Sequence, residues 1–419
     1  MTTGATDTAH PEDNPAPPAE GEFARHWPVV LAAFIGIASG ISSTFFYSTG
    51  LFMKPIAQEF GWGRGDVTLG PLVATVLTAL LAPVVGRAVD RFGTWNVVLP
   101  SMLGLVVGLL LLAYATQGFA SYLLLMGLLA ILGGGTTPLP FTRALVAAFR
   151  ARRGLALGLA IAGSGVGAAL VPALLSGIIV QQGWRGGYMV LAALVALGLM
   201  ALLAICVWAR LGLRGRAEPS IAIDVVNPPG QALLRDRAFL LLGAIFLLAA
   251  FSIMTMIVHF VPMLTDAGLP PAKVSLMASA VGVSLIVGRL ATGFLLDHVR
   301  AERLAVFLFL AVALAMVLLI FGGSDLALAA AIAAGVGVGA EIDLMAFVAA
   351  RYFPIARYGA AYGGLYGLFL VGAALGPVAT GYIFDRTGGY HAALWLCASL
   401  LVVASALFGA MPKSRYDTR

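Results

Sequence analysis

Apolar runs of about 20 residues, separated by short polar breaks, recur along the whole chain. A helix needs about that many apolar residues to cross a hydrocarbon core of ~30 Å. Such runs lie at 28–51, 67–89, 96–115, 121–146, 155–180, 187–209, 238–264, 273–296, 304–322, 326–350, 358–384 and 391–411. They are continuous rather than alternating, which disfavours a transmembrane barrel. The predicted fold class is therefore all-α and integral to the membrane, with 12 transmembrane helices. Only 11% of the 419 residues are charged and 60% are apolar, against roughly 25% charged in a soluble domain. A soluble surface needs more polar side chains than this chain owns, which excludes a soluble enzyme, a nucleic-acid binder and a disordered protein. The net charge of +6 does not reopen nucleic-acid binding, because the basic residues are dispersed among short loops.

The longest polar interior stretch, 210–237, holds Pro219, Pro228, Pro229 and five arginines. It reads as a cytoplasmic linker between two six-helix halves, 26–209 and 238–412. Residues 1–25 are rich in proline and acids and lack a basic start and an apolar core, so they read as a disordered tail rather than a signal peptide. Residues 413–419 form a short second tail. With both termini placed inside, 20 of the 25 Lys and Arg residues fall on the cytoplasmic side. Only Lys54, Arg64, Arg185, Lys273 and Arg386 fall outside. The positive-inside rule then predicts a multi-pass protein of the inner (plasma) membrane with both termini cytoplasmic.

An internal repeat divides the chain further. Gly-x-x-x-Asp occurs at Gly86–Asp90, Gly293–Asp297 and Gly381–Asp385, with a relaxed copy at Gly177–Gln181. These follow spans 2, 8, 11 and 5. Gly86 and Gly293 are 207 residues apart, and Gly177 and Gly381 are 204 apart. A three-helix unit used four times is the construction of a secondary transporter. Gly86-Arg-Ala-Val-Asp-Arg-Phe-Gly93 resembles the loop 2–3 signature of the major facilitator superfamily. The resemblance implies a gate latch in which Asp90, beside Arg87 and Arg91, pairs with a neighbouring helix, with Asp297 as the second copy. The alternative is a turn whose arginines set topology.

The stretch FRARRGLALGLAIAGSGVG at 149–167 resembles the helix 4–5 signature of the monocarboxylate transporter family, which has bacterial and animal members. Gly183-Trp184-Arg185-Gly186 is similar to that family's helix 5–6 turn, and Gly288-Arg289 falls where the family places its substrate-binding arginine. The chain is identified as a bacterial member of that kind. It departs from the family at three places. Arg25-His26-Trp27-Pro28 replaces the acidic opening motif, Tyr47 stands where animal members carry a lysine, and Leu285 where they carry an aspartate. The resemblance then implies that any proton coupling uses other residues.

Ionisable side chains are expensive within hydrocarbon and normally face a cavity or a partner. Arg289 lies eight residues before Asp297, hence ~12 Å in from a helix end. Its planar fork of donors matches a carboxylate. Substrate binding and a structural ion pair with an acid on span 10 are the two readings. Span 10 offers Glu341 and Asp343. Residues two apart on a helix are turned by about 200°, so at most one faces the pore. Either could take a proton when an anion occupies Arg289, which couples anion and proton entry. His259, near the end of span 7, reads as a proton relay, a substrate donor or an interfacial residue. Arg143 on span 4 reaches the cavity or snorkels to the membrane surface. Tyr47, Tyr362 and Tyr366 line the pore or pack between helices.

The expected function is secondary active transport of a small organic monocarboxylate by alternating access, with proton symport. The alternative is a proton-coupled antiporter that exports an organic compound or drug. The expected partners are a small organic anion, protons and the lipid bilayer, with no nucleic acid, and a monomer is expected. No Gly-Lys-Ser/Thr sequence provides for a nucleotide. The five histidines are scattered and form no zinc motif. Neither cofactor, metal nor enzymatic activity is therefore expected.

Overall fold

The computed structural model describes residues 21–149, 152–211, 233, 235–296 and 298–411. In chain order the first group of helices is α1 (Glu22–Ala38), α2 (Ile41–Thr44), α3 (Thr49–Phe60), α4 (Arg64–Phe92), α5 (Thr94–Ala115), α6 (Phe119–Gly133), α7 (Pro138–Ala148) and α8 (Arg153–Trp208). The second group is α9 (Arg237–Asp266), α10 (Pro271–Leu296), α11 (Ala301–Gly322), α12 (Ala327–Tyr352), α13 (Ile355–Thr387) and α14 (His391–Gly409). The described residues contain no strand.

Among the described residues, ten helical stretches are long and apolar enough to cross a membrane. Two of them, Gly154–Trp208 and Ala301–Tyr352, hold 55 and 52 residues, more than twice what one crossing requires. Each contains a glycine in the left-handed region, Gly183 at φ 72° and Gly323 at φ 54°. A side chain is strained in that conformation, so these glycines are where the backbone leaves the helical path. The expected spans 155–180 and 187–209 fall on either side of Gly183, and 304–322 and 326–350 on either side of Gly323. Other boundaries differ from expectation. The helix α1 begins at Glu22, so four residues assigned to the tail are helical. The Glu22 carboxylate accepts from the Arg152 backbone N–H at 3.0 Å. Most of the expected 210–237 linker, and residues 413–419, lie outside the described residues.

The apolar side chains gather into two cores. One draws on residues from Val29 to Cys206, the other on residues from Leu233 to Phe408. Two breaks shape the first half. The chain leaves helical form between α1 and α2, at Ser39–Gly40, and again in the 3-10 turn Gly134–Thr136 between α6 and α7. Backbone groups freed inside a membrane must find partners within the protein. Here the two breaks satisfy each other. The Thr136 hydroxyl accepts from the Ile41 N–H at 3.0 Å and donates to the Gly133 carbonyl at 2.7 Å. Gly40 lies against the Thr136 carbonyl, where no Cβ fits.

Close contacts between the halves also fall at small residues. A Cβ on Gly282 of α10 would meet the backbone of Ala168 and Ala169 in α8, and one on Gly50 of α3 would meet the Val258 carbonyl of α9. Such small-residue seams let membrane helices approach closely. The helix α4 runs 29 residues from Arg64 to Phe92, ~43 Å. Its termini thus mark two ends of the bundle, the Arg64 end and the Asp90 end. At the Arg64 end the halves are bonded together. Toward the Asp90 end, α7 packs on α1, α4, α5 and α8 of its own half.

Candidate functional site

The spacing of glycines in α12 decides which acid meets Arg289. Gly335, Gly339 and Asp343 recur every four residues and share one face. Gly335 lies against the Val281 carbonyl and Ser284, and Gly339 against the Leu285 carbonyl and the Arg289 amide. Gly288 in turn seats on Val336. With α10 and α12 drawn together backbone to backbone, the next residue on the stripe, Asp343, reaches Arg289. Its Oδ2 lies 3.5 Å from the guanidinium Nε. That nitrogen is buried and makes no hydrogen bond, so the ion pair leaves donor capacity unused. A buried donor without a partner is unusual and calls for an explanation.

Glu341 points elsewhere. It shares a face with Gly337, which lies against Val312 of α11 and Ile253 of α9. Glu341 is 1% exposed, and neither carboxylate oxygen has a hydrogen-bond partner. Asp343 is about one-third exposed. The two acids are therefore separated by rotation about the helix, one turned into the core of the second half and one toward Arg289.

Tyr47, between α2 and α3 in the first half, packs against the second core and lies within electrostatic reach of Arg289 and Tyr366. The Arg289–Asp343 pair thus sits near the boundary of the two halves. On α13, Tyr362, Tyr366 and Phe369 form a stack, with centroids 6.2 Å and 5.6 Å apart. The structure brings together Arg289, Asp343, Tyr47 and Tyr366 from the expected site, with Tyr362 stacked beside Tyr366.

Other expected residues lie in separate clusters. Arg143 forms an ion pair with Asp90, so these two, expected in different roles, hold α7 to α4. Arg87 donates to the Pro83 carbonyl of its own helix at 3.3 Å, and the Arg91 guanidinium lies 5.2 Å from the Phe92 ring centroid. Asp297 lies outside the described residues. His259 is fully buried. Its Nε2 donates to the Pro377 carbonyl at 2.8 Å, and its Nδ1 lies 3.2 Å from the Tyr390 hydroxyl.

The Tyr390 hydroxyl also receives a hydrogen bond from Arg64, which leads to a cluster that the sequence reading missed. Arg64 lies 3.7 Å from the Phe384 ring centroid and pairs with Asp266. Lys54 pairs with the same Asp266 at 3.0 Å. Asp385 accepts from the Arg64 and Gly65 backbone N–H groups, both at 2.8 Å. A carboxylate at a helix N-terminus is favoured by the free amides and the helix dipole. Lys54, Arg64 and α4 belong to the first half, and Asp266, Asp385 and Tyr390 to the second. These contacts fasten the halves together at the Arg64 end. The one available signal was Asp385, whose motif copy closes span 11 at the opposite end from the copies on spans 2 and 8.

The Gly183-Trp184-Arg185-Gly186 turn has a visible mechanical role. The Trp184 indole donates to Glu59 at 2.6 Å, and Arg185 forms an ion pair with the same carboxylate. The Arg185 guanidinium also lies 4.2 Å from the Trp184 ring centroid. The Arg185 hydrogen bond, with help from Trp184, holds the Glu59 carboxyl below its ordinary range against the opposing effect of burial. The turn therefore clamps the end of α3.

Comparison with known proteins identifies the architecture. The model of the Major Facilitator Superfamily matches residues 34–339 and 260–417. Monocarboxylate transporter 11 of Mus musculus is 28% identical over 414 residues, 96% of this chain and 90% of that protein. Monocarboxylate transporter 13 of Bos taurus is 28% identical over 408 residues, 95% and 91% of the two chains. Monocarboxylate transporter 4 of Mus musculus is 28% identical over 295 residues, 68% of this chain and 60% of that protein. With family matches running from residue 34 to residue 417 and core packing in two halves, the chain belongs to the major facilitator superfamily and is a membrane transporter rather than an enzyme.

Proposed function

We propose that this protein carries a small organic monocarboxylate across the inner membrane by alternating access, together with a proton. In this reading the chain crosses the membrane 12 times, in two six-helix halves with both termini in the cytoplasm. The Arg64 end is then outermost, and the state described is closed on the outside. The observation that carries the proposal is the Arg289–Asp343 pair near the boundary of the halves, with a buried guanidinium donor left unbonded. The names of the relatives support the substrate class.

The mechanism follows from competition for one cation. An entering carboxylate takes the guanidinium donors that Asp343 only partly uses. Asp343 loses its counter-charge and accepts a proton. With Arg289 neutralised by substrate and Asp343 by its proton, the loaded site no longer exposes net charge to hydrocarbon, and the carrier can reorient. Release on the other side restores the pair. An empty site re-forms the Arg289–Asp343 contact. The cross-half cluster of Arg64, Lys54, Asp266 and Asp385 acts as the outer gate. It must open when the opposite end closes. Asp90, Arg143, Arg87 and Arg91 mark the inner end. His259 supports the gate through Tyr390, and Tyr47, Tyr362 and Tyr366 line the path beside Arg289.

The test is uptake of a panel of labelled monocarboxylates by proteoliposomes, with and without an imposed pH gradient. Accumulation of at least one acid, driven by an inward proton gradient, supports the reading. Transport of none of the acids, or accumulation indifferent to the gradient, contradicts it.

A further inference from the structure

A second feature lies far from Arg289, where the start of α11 meets the ends of α12 and α14. A cleft of about 460 Å³ opens there, with Arg300 and Arg303 at its rim and Phe307, Leu310, Phe408 and Met411 along its walls. Gly409 contributes no side chain to the opening. The cleft belongs to the Asp90 end, since α10 runs away from the Arg64 end before α11 begins.

The α11 wall is an exposed apolar face, whereas Phe408 is buried behind it. Arg303, Phe307, Leu310 and Leu314 recur at helical spacing on α11, and the three apolar members are 68%, 42% and 58% exposed. Phe321, at 77%, continues the exposed face. From Arg303 to Phe321 is 18 residues, ~27 Å of helix, close to the thickness of the hydrocarbon core. An apolar stripe of that length fixes its own depth, and it sets Arg303 at the level of lipid phosphates. Basic pockets between helices at that level bind anionic headgroups.

The local charges agree. Glu302 also lines the cleft; one of its oxygens accepts from the Tyr352 hydroxyl at 3.4 Å, and the other lies 3.8 Å from Arg300 Nε and makes no hydrogen bond. Arg303 has no acidic partner among the described residues. Two arginines and one glutamate leave a rim of net charge +1.

We infer that this cleft is a binding site for one anionic phospholipid, with its phosphate on Arg303 and Arg300 and its acyl chains along Phe307 and Leu310. The site is independent of what the protein transports.

The experiment is native mass spectrometry of the full chain, released from micelles containing phosphatidylglycerol or phosphatidylcholine. The wild type is expected to retain one phosphatidylglycerol in preference to phosphatidylcholine. Arg300→Gln/Arg303→Gln is expected to reduce that retention on the order of fivefold per arginine, while Arg303→Lys alone preserves most of it. Ten millimolar inorganic phosphate should not displace the lipid. Equal retention of the two lipids, unchanged retention in the double variant, or displacement by phosphate would each overturn the assignment. The melting temperature of each variant, measured in phosphatidylcholine alone, separates loss of the site from loss of the fold.

Discussion

The carboxylate of Asp343 lies 3.5 Å from Nε of Arg289, while Glu341, two residues earlier on the same helix, is enclosed in the core of the second half. This relationship gives different surroundings to two acids that look equivalent in the sequence. Asp343→Asn should preserve exchange of substrate across the membrane and abolish accumulation driven by a pH gradient. Glu341→Gln should leave the dependence on the gradient intact, because that side chain does not meet Arg289. Paired counterflow and gradient-driven uptake assays distinguish the two. An Asp343→Asn protein that still accumulates substrate against its gradient would contradict the proposed proton site.

The glycine seam that creates the pair can be tested separately. A Cβ at position 339 would lie 2.9 Å from the Arg289 amide and closer still to the Leu285 carbonyl. Both are backbone atoms and cannot rotate away. Gly339→Ala should therefore push α12 off α10, with an overpacking cost of roughly 1–3 kcal/mol, and loosen the ion pair. A lowered thermal midpoint together with weakened substrate affinity is expected. Gly293→Ala, where a Cβ meets nothing within 4 Å, should be neutral in the same assays.

At the Arg64 end, Asp266 is shared by Lys54 and Arg64. Asp266→Asn leaves two cations near one another without their counter-ion and should favour separation of the halves there. These groups are partly exposed, so the shift is on the order of 1 kcal/mol, about fivefold in population. An impermeant thiol reagent added from outside should label Tyr47→Cys faster in the Asp266→Asn background, once Cys206 and Cys397 are replaced by serine. Unchanged labelling would show that the pair does not gate access.

The Glu59 clamp predicts a pH dependence of stability. Because Arg185 holds the folded carboxyl below its ordinary value, the contribution is complete above the unfolded glutamate pKa of about 4.3. It is lost as the pH falls through the folded value. Wild type should melt above Glu59→Gln at pH 7, and the difference should shrink below about pH 4. A difference that stays constant from pH 7 to pH 3 would rule out this ion pair as its source.

Much of the fold could be read from the chain because lipid imposes a local rule on each crossing. The breaks within crossings were harder. Span 1 was expected at 28–51, yet helical structure reaches Phe60, past a break at Ser39–Gly40. Lys54 and Glu59 lower the apolar character there without stopping the helix. Gly133-Gly-Gly135 lies at a second break, bridged to Ile41 through Thr136. Arg289 and both acids were found individually, because charge in an apolar run stands out. Choosing between the acids required the rotation of α12, which the Gly335–Gly339–Asp343 stripe sets. The Arg64 cluster was hidden for a different reason. Its partners lie 202 and 321 positions away, at Asp266 and Asp385, and only the docking of two halves brings them together.

The role of Arg289 is best examined by replacing it. Arg289→Gln keeps a polar side chain of similar reach and removes the charge that a carboxylate requires. Loss of such a buried, charge-assisted contact costs roughly 2–5 kcal/mol. Initial uptake of the preferred monocarboxylate into proteoliposomes containing equal amounts of folded protein should fall at least thirtyfold, while the melting temperature stays near that of the wild type. Uptake at the wild-type rate, with the same affinity, would mean that the substrate anion does not bind this guanidinium.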